Sequence, residues 1–283
     1  MRNFYVVGNS EKTEAGYVAE IIQEIVKKNN GICHIGSGYV NRHSIPENIE
    51  CIITLGGDGT LLKAAGETAS LGIPLIGVNL GHLGFLTSVS YDNDINDIKD
   101  MLKKLFEGNF TIEDRMMLEG IKSEKYTSEV GASKKFTALN EVVIKKTETV
   151  KFTRCKVYVD GEFLNEYSAD GIIIATPTGS TAYNLSAGGP IAGTAGRMII
   201  ITPICPHALS RRSIVLSPES IVEVEMIDRE DVVKAALFDG EIKLSLNYAE
   251  RIYIRESSVK TRLVKLKGAS FLDNLRRKMN NSI

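Results

Sequence analysis

The sequence predicts two architectures in one chain: an α/β N-terminal domain with a parallel sheet, followed by a mostly β domain. Up to about residue 112, strand-like runs alternate with amphipathic helical runs, the rhythm of βαβ units. Beyond it, apolar residues alternate or cluster in β-rich runs punctuated by Asp-Gly pairs. A length of 283 residues also exceeds what one core usually organises, so two domains are expected.

Phe4-Tyr5-Val6-Val7 opens the chain as a strand. Val18, Ile21, Ile22, Ile25 and Val26 share one face of a helix that Gly31 ends. Strand-like runs follow at 51–55 and 73–78, and Ile95, Ile98, Leu102, Leu105 and Phe106 repeat the helical spacing before Gly108. In the second domain the runs 116–121, 155–159, 221–227, 234–238 and 251–255 read as strands, with Asp160-Gly161 and Asp239-Gly240 as hairpin turns. Near the C-terminus Phe271, Leu272, Leu275 and Met279 form an apolar stripe that a helix is expected to bury, with Ser270 placed as its cap and Asp273 in its first turn. The expected limits are 1–112, 113–255 and a C-terminal segment 256–283.

Composition narrows the function classes. With 43% hydrophobic and 24% charged residues the chain is an ordinary globular one. Thirty-four basic against 35 acidic residues leave a net charge of −1, which argues against broad attraction to nucleic acid or to an anionic membrane. Arg211-Arg212 is too short to change that. The chain starts directly in a strand-like run and contains no apolar run of spanning length, so a cytoplasmic location is expected. Cys33, Cys51, Cys155 and Cys205 show no paired spacing, and His34, His43, His82 and His207 share no ligand spacing; neither a disulfide framework nor a zinc site is expected.

Gly56-Gly57-Asp58-Gly59-Thr60 sits between a strand-like run and a helix-like run, the placement of a phosphate loop. Glycines let backbone N–H groups close on phosphate oxygens, and the following helix N-terminus favours an anion. A carboxylate beside phosphate needs a job of its own, either accepting a hydroxyl proton or holding a bridging metal ion, and both belong to phosphoryl transfer. The same residues also fit a plain strand-to-helix turn. The run 170–190 joins a buried-looking strand to a segment dense in hydroxyls and small residues, which suits the polar edges of a ribose, an amide or a purine.

These two motifs together resemble the signature of bacterial NAD kinases. So, in the same order, do Gly81-His82-Leu83-Gly84-Phe85-Leu86-Thr87, Asn140-Glu141, Thr202-Pro203-Ile204-Cys205-Pro206-His207, Phe238-Asp239-Gly240-Glu241 and Phe271-Leu272-Asp273-Asn274-Leu275-Arg276. The first glycine motif alone is shared with lipid kinases; the longer one is far more specific. The resemblance implies a sandwich-like second domain, a C-terminal helix returning to the first domain, and transfer of the γ-phosphoryl group of ATP to the adenosine ribose 2′-hydroxyl of NAD, giving NADP. It also implies Mg²⁺ or another divalent cation with ATP, and a homodimer or homotetramer. A lipid kinase of the diacylglycerol or sphingosine type and a non-catalytic dinucleotide sensor are the alternatives.

On this reading Asp58 is the catalytic base and touches NAD, and Gly56, Gly57, Gly59 and Thr60 hold donor phosphates. Gly59 and Lys63 also lie toward the dinucleotide, although Lys63 suits a solvated helix face equally well. The resemblance further assigns Asn140, Glu141, Ser168, Asp170, Thr178, Thr181, Ala182, Tyr183, Asn184, Leu185 and Ser186 to NAD. Without it, Asn140-Glu141 reads as an exposed strand end. Tyr183 offers a ring to stack on a base or a hydroxyl for a phosphate, with a core tyrosine as the competing reading. Ser168 stands where many relatives have arginine or glycine. Lys151 is a candidate for the new 2′-phosphate or a solvated loop lysine, and Asp239 and Glu241 are either NAD contacts or the residues of a type I′ turn.

Overall fold

The structure is a computed structural model that describes residues 1–8, 13–38, 40–81, 84–92, 94–123, 135–147, 152–207, 212–228, 234–268 and 270–280. The chain divides into two compact units, 1–115 with 260–283 and 116–259. The change of rhythm in the sequence had set these limits at 112 and 255.

The first unit begins β1 (Asn3–Gly8), α1 (Thr13–Lys28), β2 (Ile32–Ile35), β3 (Cys51–Gly56), α2 (Asp58–Thr68), β4 (Leu75–Asn79), β5 (Val89–Ser90), α3 (Ile95–Glu107) and β6 (Phe110–Arg115). β1 pairs in parallel with β2 and β3, β3 with β4, and β4 with β5. Strands without polar alternation, such as Cys51–Gly56, are buried along their whole length, as expected of a parallel strand covered on both faces. α1 and α3 cover one face: Val18, Ile22 and Val26 from α1 and Ile98, Met101, Leu102 and Leu105 from α3 join Phe4, Val6, Ile53, Leu55, Ile76 and Val78 in one core. Because side chains alternate along a strand, Gly77 faces the opposite side, where Leu61 of α2 meets it. The ends of α3 follow its sequence. Asp94 caps it by accepting from the Asn96 N–H at 2.9 Å, and Gly108 ends it in the left-handed region at φ 73°.

The second unit is an antiparallel β-sandwich. Its strands are β7 (Leu118–Ser123), β8 (Lys135–Ala138), β9 (Glu141–Lys146), β10 (Thr153–Val159), β11 (Glu162–Ala169), β12 (Gly171–Ala175), β13 (Ile199–Ile204), β14 (Ile214–Leu216), β15 (Val222–Met226), β16 (Lys234–Phe238), β17 (Glu241–Leu246) and β18 (Arg251–Glu256), with the short helix α4 (Tyr183–Ser186) after β12. One sheet has the order β11-β10-β15-β18-β7-β8 and the other β14-β13-β12-β9-β16-β17. Leu118, Val157, Val224, Ile252 and Ile254 of the first meet Val142, Ile144, Ile172, Ile174, Ile201 and Phe238 of the second. Ile173, Ala175, Val143 and Ile200 point away from that core and are covered by Ala187, Ala192 and Met198, so β12 is buried on both faces. Both Asp-Gly pairs form the expected turns, with Asp160 and Gly161 at φ 52° and 84° and Asp239 and Gly240 at 49° and 85°, the type I′ signature.

The chain then returns to the first unit. β19 (Thr261–Leu266) lies between β4, with which it is parallel, and β6, with which it is antiparallel, and it buries Leu263, Val264 and Leu266. α5 (Phe271–Asn280) follows, and the Lys278 ammonium stands 4.6 Å from the Phe85 ring centre. The apolar stripe of α5 is not buried as expected: no residue of the helix is buried, and Leu272 and Met279 are 63% and 61% exposed. Physically, β19 with three large aliphatic side chains already supplies the apolar contact that ties the C-terminal segment to the sheet. No described helix is long and apolar enough to cross a membrane.

This division of labour sets the outcome of truncation. Ending the chain after residue 268 should lower the melting temperature by no more than a few degrees, whereas ending it after residue 259 removes a central strand whose buried side chains are each worth about 1.5–3 kcal/mol. Thermal melts of the two truncations check this; equal losses would mean that α5 carries packing weight.

Candidate active site

In the first unit the glycine motif forms the junction between β3 and α2. Gly57 is the extended N-cap residue, with no side chain bonded to the helix end, and Asp58 is the first helical residue. The N-terminal N–H groups of α2 therefore stand beside Gly56, Gly57, Gly59 and Thr60, as a phosphate site requires.

The Asp58 side chain turns to a second loop. Its Oδ2 accepts from the Phe85 N–H at 2.8 Å, and its Oδ1 from the Leu86 and Thr87 N–H groups, both at 3.2 Å. A carboxylate offers about four acceptor positions, so three are filled and one on Oδ2 remains. The turn that provides these donors is closed by the Thr87 hydroxyl, which accepts from the Gly84 N–H at 3.2 Å and from the Asn79 side-chain amide at 3.4 Å. His82, in the same motif, lies outside the described residues. Lys63 is exposed on α2.

The second unit repeats the device. Asp239, in the turn after β16, receives the Leu139 N–H on Oδ2 at 2.7 Å and the Asn140 and Glu141 N–H groups on Oδ1 at 2.8 and 3.2 Å, while its own N–H donates to the Glu141 carbonyl at 3.1 Å. The Asn140 carbonyl accepts from the Thr176 N–H at 2.9 Å, and the Thr176 hydroxyl donates to the Leu139 carbonyl at 2.6 Å. Gly179 comes so close that a side chain there would lie 2.1 Å from the Asn140 carbonyl oxygen. Residues 139–141, the end of β12 and the turn after it thus form one locked assembly.

This assembly buries two acceptors without donors. Asn140 and Glu141 are 7% and 6% exposed, yet Asn140 Oδ1 and Glu141 Oε2 have no hydrogen-bond partner. Burial, and then the nearby Asp239 carboxylate, push the Glu141 carboxyl up to about 8. Asp239 is pushed up to about 6 by burial, against the pull of its three N–H donors. Groups kept away from water with unfilled acceptor positions are what a ribose diol or an amide would satisfy.

The remaining sequence candidates divide. Tyr183 is exposed rather than a core residue, and its hydroxyl is raised by partial burial and then by Asp170, Cys205 and Glu141, which places these four as electrostatic neighbours. Leu185 and Ser186 are exposed beside it, Ala182 and Thr181 are partly so, and Thr178 is buried. Asp170 is exposed at the head of β12, and Ser168 is half-buried in β11. Asn184 turns inward. Fully buried, it donates to the Ser180 and Pro190 carbonyls at 3.2 and 3.0 Å and accepts from the Thr202 hydroxyl at 2.7 Å. Glu241 is exposed at the start of β17 and ion-paired with Lys243 two residues along the same strand. Lys151 lies outside the described residues.

Sequence reasoning missed the seat that residues 84–87 give Asp58 and the part of Thr176 in holding residues 139–141. The only available signal was the motif containing Gly84 and Thr87. Among the described residues no three His, Cys, Asp or Glu side chains are grouped to hold a metal ion. Asp58, with three of its acceptor positions filled by backbone donors, leaves a divalent cation a single oxygen position at the phosphate loop.

Residues 23–110 match the ATP-NAD kinase N-terminal domain, and residues 139–266 match the ATP-NAD kinase C-terminal domain. An NAD kinase from Lachnospira eligens is 38% identical, over 99% of this chain and 100% of its own length. One from Thermoanaerobacter sp. is 42% identical, over 91% and 87%. Among solved structures, an NAD kinase from Archaeoglobus fulgidus in complex with ATP superposes with a TM-score of 0.77 at 26% identity, covering 98% of each chain. A yeast NADH kinase complexed with NADH gives 0.76 at 25%, covering 97% of this chain and 85% of that one. Two family domains in order, and relatives matched along nearly the whole chain, show that it belongs to the NAD kinase family, phosphotransferases that take ATP and NAD as substrates.

Proposed function

We propose that this chain performs the NAD kinase reaction through Asp58, and the observation that carries the proposal is the oriented Asp58 carboxylate with one acceptor position left on Oδ2. The adenosine ribose 2′-hydroxyl of NAD gives its proton to that position as its oxygen attacks the γ-phosphorus of ATP. The bond to the β–γ bridging oxygen breaks, and ADP leaves with the electron pair. Gly56, Gly57, Gly59 and Thr60 hold the donor phosphates at the start of α2, and Lys63, within reach of that end, adds a point charge. Asn140 and Glu141 accept from ribose hydroxyls or the adenine edge. Asp170, Ser168, Thr178, Thr181, Ala182, Tyr183, Leu185 and Ser186 line the dinucleotide, with Tyr183 offering a ring to stack on. Asn184 and Asp239 act from behind as scaffold, since their polar groups are taken by protein partners, while Glu241, exposed just after the turn, is carried as a dinucleotide contact by the resemblance alone. Lys151 contacts the new 2′-phosphate on the strength of the resemblance alone.

A divalent cation, Mg²⁺ or another, would come with ATP and would offset the charge of its phosphates. A cytoplasmic location and a homodimeric or homotetrameric state complete the reading. Neither the lipid kinase alternative nor the non-catalytic sensor draws support from the family match.

Asp58→Asn keeps the size of the side chain and removes the proton acceptor. It should leave NAD affinity within a fewfold of wild type and lower kcat by about 10²–10⁴. Steady-state kinetics at saturating ATP and NAD decide; a loss under about tenfold would move the base elsewhere.

Glu141 makes binding pH-dependent. Its carboxyl stands at about 8 in the free protein and accepts a ligand hydroxyl best when ionised. NAD affinity should therefore rise with pH up to about 8 and level off above it, and Glu141→Gln should flatten the profile. The same shift acts in the opposite sense on the free protein. A carboxyl raised from 4.5 holds a proton that the unfolded chain releases, so its ionisation erodes stability as pH climbs from 4.5 to about 8. Calorimetric titrations from pH 6.5 to 8.5 test the first statement, and a flat wild-type profile would remove Glu141 from the binding site.

A further inference from the structure

Gly84 raises a question that its own backbone does not answer. It is not among the glycines of positive φ, so a residue with a side chain can adopt its conformation. A Cβ built there would lie 1.8 Å from Asp58 Oδ1, 2.3 Å from Cγ and 2.4 Å from Oδ2, and these are its three nearest neighbours. What the missing side chain makes room for is the carboxylate. The same turn places the Phe85, Leu86 and Thr87 N–H groups around that carboxylate, and the Thr87 hydroxyl, in a residue only 2% exposed, holds the turn shut by accepting from the Gly84 N–H.

We infer that Gly84 and Thr87 are positioning residues for Asp58: the bare Cα of one is the floor of its seat, and the hydroxyl of the other keeps three donors aimed at it. The inference rests on the reading of Asp58 as the proton acceptor. Neither residue touches substrate on this account; each acts through the carboxylate. If the carboxylate leaves the seat, the free position on Oδ2 no longer faces the 2′-hydroxyl, and catalysis falls even though Asp58 is still present.

Gly84→Ala is a selective probe because the clash is with the end of a side chain, which can rotate away, rather than with fixed backbone. Thr87→Val removes the hydroxyl while keeping the shape, and Thr87→Ser restores the hydroxyl alone. With the full-length protein, ATP, Mg²⁺ and NAD, Gly84→Ala should lower kcat by about tenfold or more, within reach of the general-base range. KM for ATP and NAD should stay within about threefold. In an Asp58→Asn background the same substitution should add less than about threefold, because the two act through one group. Thr87→Val should reproduce the kcat loss and Thr87→Ser should recover most of it. That pair decides the matter if Gly84→Ala melts too low to assay.

Three results would overturn the inference. Gly84→Ala or Thr87→Val could turn over at the wild-type rate while Asp58→Asn collapses, which would leave Asp58 catalytic but the seat irrelevant. The losses from Gly84→Ala and Asp58→Asn could multiply, which would send the effect of Gly84 through another route. Or Asp58→Asn could itself retain wild-type kcat, which would remove the reading of Asp58 and with it any positioning role.

Discussion

One interaction recurs at both halves of this chain and orders what surrounds it: a single aspartate takes the N–H groups of three consecutive residues. Asp58 does so with residues 85–87 and Asp239 with residues 139–141. In each case one oxygen accepts one bond and the other accepts two. Bonds from neutral donors to a charged acceptor are worth about 1.5–3 kcal/mol each, more than an ordinary hydrogen bond, and an irregular loop needs such fixing because its N–H groups have no ladder to join.

The two scaffolds explain why the device is needed where it is. In the first unit, β3 and β4 are parallel neighbours buried on both faces, and their C-terminal ends release the chain into loops at the same edge. Asp58 follows β3 and residues 84–87 follow β4, so the carboxylate ties one strand's exit to the next. In the second unit, β9 is the neighbour of both β12 and β16. The start of β9, the end of β12 and the turn after β16 therefore meet, and Asp239 and Thr176 bind them together. The cost is visible beside it: Asn140 Oδ1 and Glu141 Oε2 are buried with no protein donor, the mark of a surface shaped for something other than itself.

Local features were legible in the sequence and distant partners were not. The parallel rhythm, the covering faces of α1 and α3, the Gly108 stop and both Asp-Gly turns follow from periodicity and from what glycine and aspartate do at positive φ. The family signature named the segments that matter. No local pattern says that β19 inserts between β4 and β6, because that strand pairs with residues about 150 and 190 positions earlier. Nor does composition say that Asn184, in the middle of a hydroxyl-rich ligand segment, points into the core to join Ser180, Pro190 and Thr202. The stripe of α5 misled for the reverse reason. Its periodicity is real, but burial depends on whether the sheet still has apolar surface to cover, and β19 supplies that contact first.

Amide hydrogen exchange tests the shared carboxylate device most directly, because it reads each captured N–H separately. In wild-type protein the amides of Phe85, Leu86 and Thr87 should be protected, and Asp58→Ala should speed their exchange by about 10- to 100-fold, the equivalent of one charge-assisted bond each. Asp239→Ala should do the same at Leu139, Asn140 and Glu141, and neither change should reach the amides of the other set. Exchange at those six amides that is unchanged, or that rises together across the whole chain, would show that the loops are held by something other than these two carboxylates.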